Sequence, residues 1–319
     1  MGGPLDKYHT IDNMLFRSFI ESINRFAVPV FFMVSGAIHL NRQYEINRQF
    51  FFKIFLKYIM PTFFAIAFYK AIDYSFEFNV NYFQELFTQF NSKSGYHLWF
   101  MIVYIGFVLS LPILVPIARD KKVEIYFIIL WVFFTVINDT IIRFYKDFTP
   151  PMMQNPLFLM YTGYFFLGHY LHRNMLNSSK LFIFYTSIVA IFSFLGICFA
   201  TYYASIAENR FINYYTIPPS PYLLFYSSSI FILFKLLISI KSNHLHFFAK
   251  YTFFIYLLHL ALVRMIKTYL ENSSFGYNLT FAAIAMPFIV YIMLFALFYT
   301  VDSANKIFWN FITVDSNDQ

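Results

Sequence analysis

Blocks of about twenty consecutive apolar residues recur along the whole chain, and that recurrence decides what it can fold into. HLWFMIVYIGFVLSLPILVPI (97–117) is one such block, and FLKYIMPTFFAIAF lies inside another. Twenty residues of α-helix cover the roughly 30 Å of a bilayer's hydrocarbon core. Lipid offers no partner for a bare N–H or C=O, so only helices and closed barrels can cross it. Barrel strands are short segments of alternating polarity, and these blocks do not alternate. Charged residues make up 12% of the chain, against roughly 25% in soluble domains. The fold class expected is all-α: a polytopic transmembrane helix bundle.

The blocks predict about nine spans: 26–41, 50–73, 97–117, 123–144, 156–172, 180–203, 221–240, 247–269 and 278–301. The longest connection, about 74–96, is too small for a soluble domain, so residues 1–319 read as one integral-membrane domain. Loops such as NRQYEINRQ and ARDKKVE hold the clearest basic clusters. By the positive-inside rule they face the cytoplasm. Residues 1–15 are then an extracytoplasmic tail and 302–319 a cytoplasmic one. The opening MGGPLDKYHT has no signal-peptide apolar region.

Several chemistries are excluded early. The single Cys198 gives no intramolecular disulfide and no thiol metal site, and no metal centre is expected. The net charge of +7 fits basic residues flanking helices rather than nucleic-acid binding. Walker A, dinucleotide-binding, HExxH and GxSxG patterns are absent, which argues against ATP-driven transport and soluble-type hydrolysis. With only 9 Gly, helices packed mainly through glycine are not expected.

RFAVPVFFMVSGAIHL, 25–40, is the most unusual block. As helix, residues 26–40 rise only about 22 Å, so the helix is expected to extend back through NMLFRSFIESIN. Ser18, Glu21, Ser22, Arg25, Phe32, Ser35, Gly36 and His39 then share one broad face. Glu21 stands one turn before Arg25 and can pair with it. Intramembrane charge points to function; the alternative is a snorkelling Arg25 beside a Ser35–Gly36 packing contact.

Other polar positions stand out more weakly. His97 and Trp99 open their span, where Trp commonly serves as an interface anchor. His259 lies mid-span and shares a face with Thr252 and Tyr256, as either a functional or a structural histidine. Asp139 and Arg264 read as charges near helix ends. Arg42, Arg48, Lys53 and Lys57 surround the cytoplasmic base of two spans, with Arg119, Lys121 and Lys122 in the next inside loop. They suit either anionic lipid or a phosphate-bearing cytosolic ligand. Lys53 and Lys57 are placed on one helix face.

SINRFAVPVFFMVSGAI resembles the most characteristic segment of membrane-bound acyltransferase family 3, with Arg, Val-Pro, Phe-Phe and Ser-Gly in that order. FFKIFLKYIMP resembles the basic, Pro-ended helix that follows, with lysines where arginines are usual. HLWFMIVYIGFVLSLPIL, YTGYFFLGHYL and FFAKYTFFIYLLH resemble later helices. The likeness is nearest to small O-acetyltransferase and adhesin-succinylation members.

That resemblance implies ten helices in a bacterial cytoplasmic membrane. It also implies transfer of an acyl group, usually acetyl from acetyl-CoA, to a hydroxyl of a cell-surface or lipid-linked polysaccharide. Acetyl-CoA is then a donor rather than a tightly bound cofactor, and the partners are the bilayer and the glycan. Arg25, Ser35 and His97 carry the implied catalytic roles. Arg42, Arg48, Lys53 and Lys57 hold the donor's phosphates, and Trp99, Tyr256 and His259 meet the acceptor. Polysaccharide export and an inactive remnant are the competing readings.

The family's first helix carries an Arg and a catalytic His, and this chain starts in the loop after it. His9 follows no apolar run and does not replace that histidine. Either the start lies further upstream, or the gene is truncated, or activity has been lost; translating upstream of Met1 decides, since a frame without an apolar segment carrying an Arg and a His removes the intact-enzyme reading.

Overall fold

The computed structural model describes residues 11–77, 80–83, 95–138, 140–141, 160–174, 179–238, 247–272 and 279–315. Their regular structure is helical. The helices are α1 (Ile11–Asn24), α2 (Ala27–His39), α3 (Arg48–Ile54), α4 (Met60–Asp73), α5 (Trp99–Arg119), α6 (Lys121–Trp131), α7 (Thr162–Asn174), α8 (Lys180–Ala207), α9 (Pro221–Leu237), α10 (Thr252–Asn272) and α11 (Leu279–Asp315). π-turns at Phe55–Ile59 and Val132–Ile137 continue α3 into α4 and extend α6.

Among the described residues, six stretches are long and apolar enough to cross a membrane: Arg48–Asp73, Tyr96–Arg119, Lys180–Ala207, Tyr214–Leu237, Thr252–Asn272 and Ile284–Ser303. Each overlaps an expected span. Of the other three expected spans, 26–41 is the continuous but short α2 (Ala27–His39), and the rest cannot be followed end to end. Segment 26–41 is divided from α1 at Arg25–Phe26, while 123–144 and 156–172 lie partly outside the described residues. His9 and Asp139 also lie outside them. Helix α1 begins at Ile11, inside the expected tail, and α11 runs on to Asp315.

Local chemistry sets the helix ends. Pro29 has no N–H for the carbonyl of Arg25, so the ladder is interrupted there, and α1 and α2 meet at a defect rather than forming one rod. The Asp120 carboxylate accepts the Lys122 and Val123 amides and starts α6. Ser179 caps α8 through the Phe182 amide, and Pro221 at the first position starts α9.

Two compact units result: residues 1–46 with 110–240, and 47–109 with 241–319. In the first, α2 packs on α7 and α9, α1 on α8, α8 on α9, and α6 on α7. The α2–α7 contact is very close. A Cβ on Gly36 would lie 1.8 Å from the Phe165 carbonyl oxygen, and one on Gly168 would lie 2.1 Å from the Met33 carbonyl oxygen. Trp131, fully buried, covers Gly163. Glycine is scarce, yet these three positions place it where backbones or rings must meet. Buried Ile197, Leu223 and Tyr226 fill the space beside Phe26 and Phe194.

In the second unit, α10 packs on α11 and α4. Tyr251, Ile255, Met286, Val290 and Leu294 form its apolar core. Lys250 Nζ donates to Asp302 Oδ2 at 2.6 Å and the Tyr251 hydroxyl donates to the same oxygen at 2.8 Å. These bonds tie Lys250 and Tyr251 to Asp302 in α11.

Gly36→Ala is expected to destabilise the protein by about 1–3 kcal/mol through overpacking. Gly106→Ala, where a Cβ meets nothing within 4 Å, should leave thermal unfolding in detergent unchanged or slightly raised.

Candidate functional site

A gathering of aromatic polar groups lies in the second unit. It draws Tyr69 from α4, His97 from the 3₁₀ turn Tyr96–Leu98, and Tyr256 and His259 from α10. The His97 ring centroid lies 4.8 Å from that of His259, 5.4 Å from Tyr256 and 5.2 Å from Tyr69. Gly95 permits the approach, since a Cβ there would come within 2.8 Å of the Tyr69 side chain.

Hydrogen bonds fix the groups around His97. The Tyr256 hydroxyl donates to the His97 carbonyl oxygen. The Ala261 amide donates to the Tyr69 hydroxyl oxygen at 3.1 Å. His259 Nδ1 lies 2.7 Å from the Tyr256 carbonyl oxygen. A carbonyl only accepts, so Nδ1 carries the hydrogen and the neutral ring presents its lone pair at Nε2. Both ring nitrogens of His97 are buried and make no hydrogen bond of good geometry, although the Leu257 and Tyr256 carbonyls lie near enough to act on the ring. Leaving them so is unfavourable until another polar group arrives. Arg264, one to two turns beyond His259, lies near enough for its charge to act on Tyr69 and His97. It is therefore more than a charge near a helix end.

Three residues singled out in the sequence, His97, Tyr256 and His259, thus meet. Trp99, beside them in sequence, remains 38% exposed at the start of α5. Arg48, Lys53 and Lys57 belong to this unit too and are exposed along α3 and the π-turn. The wider π-turn around Lys57 alters the phase between the two lysines, so they are not simple neighbours on one α-helical face. From Lys53 to Tyr69 the helix rises about 24 Å, nearly the thickness of the hydrocarbon core.

Arg25, Ser35 and Arg42 lie in the first unit. Arg25 is ion-paired with Glu21, as the one-turn spacing predicted. Ser18, Ser22 and Ser35 are buried, so the polar stripe faces protein. Ser35 adjoins Gly36 at the α2–α7 contact.

A second polar cluster had no signal in the sequence, because its members are far apart in the chain. His169 Nδ1 lies 2.6 Å from Glu124 Oε1, and both side chains are about 98% buried or more. His169 Nε2 lies 3.3 Å from Asn41 Oδ1. Asn41 Nδ2 donates to the Ala37 carbonyl at 2.7 Å, which fixes the amide's orientation. Nε2 must then donate to Oδ1, and one proton is shared between His169 and Glu124. The pair joins the first turn of α6 to the last turns of α7 and the end of α2.

Removing one partner leaves the other buried and uncompensated. His169→Ala is expected to destabilise the protein by about 3–5 kcal/mol, whereas a joint His169→Leu, Glu124→Met change should recover most of that loss in thermal unfolding.

No curated protein and no solved structure matches the chain. The acyltransferase domain of acyltransferase family 3 does match, over residues 3–301. It takes in both units, the histidine cluster and the buried Glu124–His169 pair, and the chain is a helical membrane protein belonging to acyltransferase family 3.

Proposed function

We propose that this protein transfers an acyl group, acetyl first among candidates, from a cytoplasmic acyl-CoA to a hydroxyl of a cell-surface or lipid-linked polysaccharide in a bacterial cytoplasmic membrane. The observation that carries the reading is the pairing of His97 with His259. O-acylation needs a base for the hydroxyl proton and a positive group for the oxyanion that develops on the thioester carbonyl. His259 Nε2 offers a lone pair beside a histidine whose buried ring nitrogens make no hydrogen bond of good geometry.

In this proposal the acceptor hydroxyl donates to His259 Nε2, and His97 bonds the acceptor or the thioester oxygen. The hydroxyl oxygen attacks the thioester carbon as its proton passes to His259. The C–S bond then breaks, the thiolate of coenzyme A leaves, and the proton returns to it. Tyr256 holds the His97 backbone, and Arg264 supplies positive charge as the oxyanion forms. Trp99 suits stacking on a sugar ring. Arg25 is already matched by Glu21, and Ser35 sits in helix packing, so both are given supporting roles.

Lys53 and Lys57, with Arg48, are assigned to the donor's phosphates as point charges; Arg42, in the first unit, is a further phosphate-binding candidate. The basic end and the histidine end of α3–α4 are separated by a membrane-scale length, which suits a donor and an acceptor that approach from opposite sides.

His259→Ala is expected to lower kcat about 10²–10⁴-fold, the range for losing a general base. Lys53→Ala with Lys57→Ala should mainly raise KM for acyl-CoA, about tenfold or more if charge-assisted bonds are lost. Both are measured by transfer of radiolabelled acetyl to membrane glycan. Normal transfer in His259→Ala would sink the base assignment.

A further inference from the structure

The first unit holds a cavity of about 240 Å³ at the end of α2, lined by Asn41, Arg42, Arg119, His169 and Arg173 among others. We infer that it binds a phosphate group, through three guanidiniums at the rim of a cavity floored by the buried Glu124–His169 pair and its Asn41 partner. The inference shares Arg42 with the donor-phosphate assignment but uses none of the histidine chemistry, so it would survive failure of the acyl-transfer reading.

Three observations carry it. Arg42, Arg119 and Arg173 bring three positive charges to one small concavity, and among the described residues no carboxylate forms an ion pair with any of them. The carboxylates nearest in sequence are engaged elsewhere: Glu124 with His169, and Asp120 with the amides that start α6. Like charges gathered this way repel until an anion enters.

The site is also built rather than incidental. His169 is 1% exposed and lines the cavity. Its bonds to Glu124 and Asn41 hold the chain at the end of α2, next to Arg42, against α6 and α7, while the three arginine side chains themselves are exposed. Arg173 Nη1 donates to the Ala118 carbonyl at 3.3 Å, which sets one side of its guanidinium and holds it beside Arg119. The Glu124–His169 pair shares one proton and is neutral as a unit, so the net charge at the cavity comes from the arginines.

Arginine is the side chain that matches phosphate with parallel N–H donors. A pocket enclosing a whole drug-sized ligand occupies roughly 300–1,000 Å³. This one is smaller, so it suits a phosphate or pyrophosphate end with the rest of the ligand outside. That chemistry has two sources: a soluble phosphoester such as coenzyme A, or the headgroup of an anionic phospholipid.

The test uses the full chain in phosphatidylcholine nanodiscs, with inorganic pyrophosphate as probe in titration calorimetry. Arg42→Gln with Arg119→Gln is the main variant, since neither side chain makes a bond within the protein among the described residues. Arg173→Lys is the conservative one. Wild type is expected to bind pyrophosphate at least tenfold more tightly than the double variant, with Arg173→Lys between them. Displacement of pyrophosphate by coenzyme A assigns the site to a soluble phosphoester. Greater retention of phosphatidylglycerol by wild type than by the variant, measured by mass spectrometry of purified protein, assigns it to lipid.

Equal pyrophosphate binding together with equal lipid retention in wild type and double variant overturns the inference. Lys53→Ala with Lys57→Ala should leave pyrophosphate binding at this cavity unchanged, so failure of the acyl-transfer reading and failure of this one are read separately.

Discussion

Hydrocarbon supplies no hydrogen bonds, and every polar group in this protein has to bring its own partner. The backbone answers by being helical. The side chains answer in pairs: Arg25 with Glu21, His169 with Glu124 and Asn41, Ser22 with the Ser18 carbonyl, and Tyr164 with the Pro218 carbonyl. Against that background His97 stands out. Both its ring nitrogens are buried without a well-formed hydrogen bond, whereas the other described residues that leave a buried polar atom unmatched, among them Ser18, Thr62, Trp131 and Ser227, leave one each.

The two polar centres differ in kind. The Glu124–His169–Asn41 group is closed, with each ring nitrogen already engaged, and its effect is to fix three helix ends. The Tyr69–His97–Tyr256–His259 group is open, because its fixed bonds run mainly through backbone atoms and a phenol oxygen. A closed network rigidifies and an open one can receive a ligand. That contrast separates architecture from chemistry more clearly than the presence of histidine, which both groups share.

The spans were legible because apolar length is a local property: six of the expected blocks coincide with long helices to within several residues. The one-turn pairing of Glu21 with Arg25 was legible for the same reason. Tyr256 and His259 could be placed on one face by spacing, and His97 was marked by its motif. Their meeting was not legible, since it depends on Gly95 admitting Tyr69 and on how α4 and α10 pack. Glu124 and His169 were hidden entirely. One lies in a basic loop segment that read as membrane anchoring, the other in an apolar run, and 45 residues separate them. Arg264 was misread because its distance from the helix end says nothing about which side chains it faces.

The π-turn at Phe55–Ile59 has a consequence for the helix that contains it. One added residue in a helical turn rotates everything beyond it by about 100°. Lys53 lies before that turn and Tyr69 after it, so the turn sets the angular offset between the basic end of the helix and its aromatic end. Pro61, which leaves the Lys57 carbonyl without its usual donor, helps to hold that offset. The helix thus acts as a keyed shaft, and shortening it by a single residue would turn Tyr69 away from His97 while leaving hydropathy and composition almost untouched.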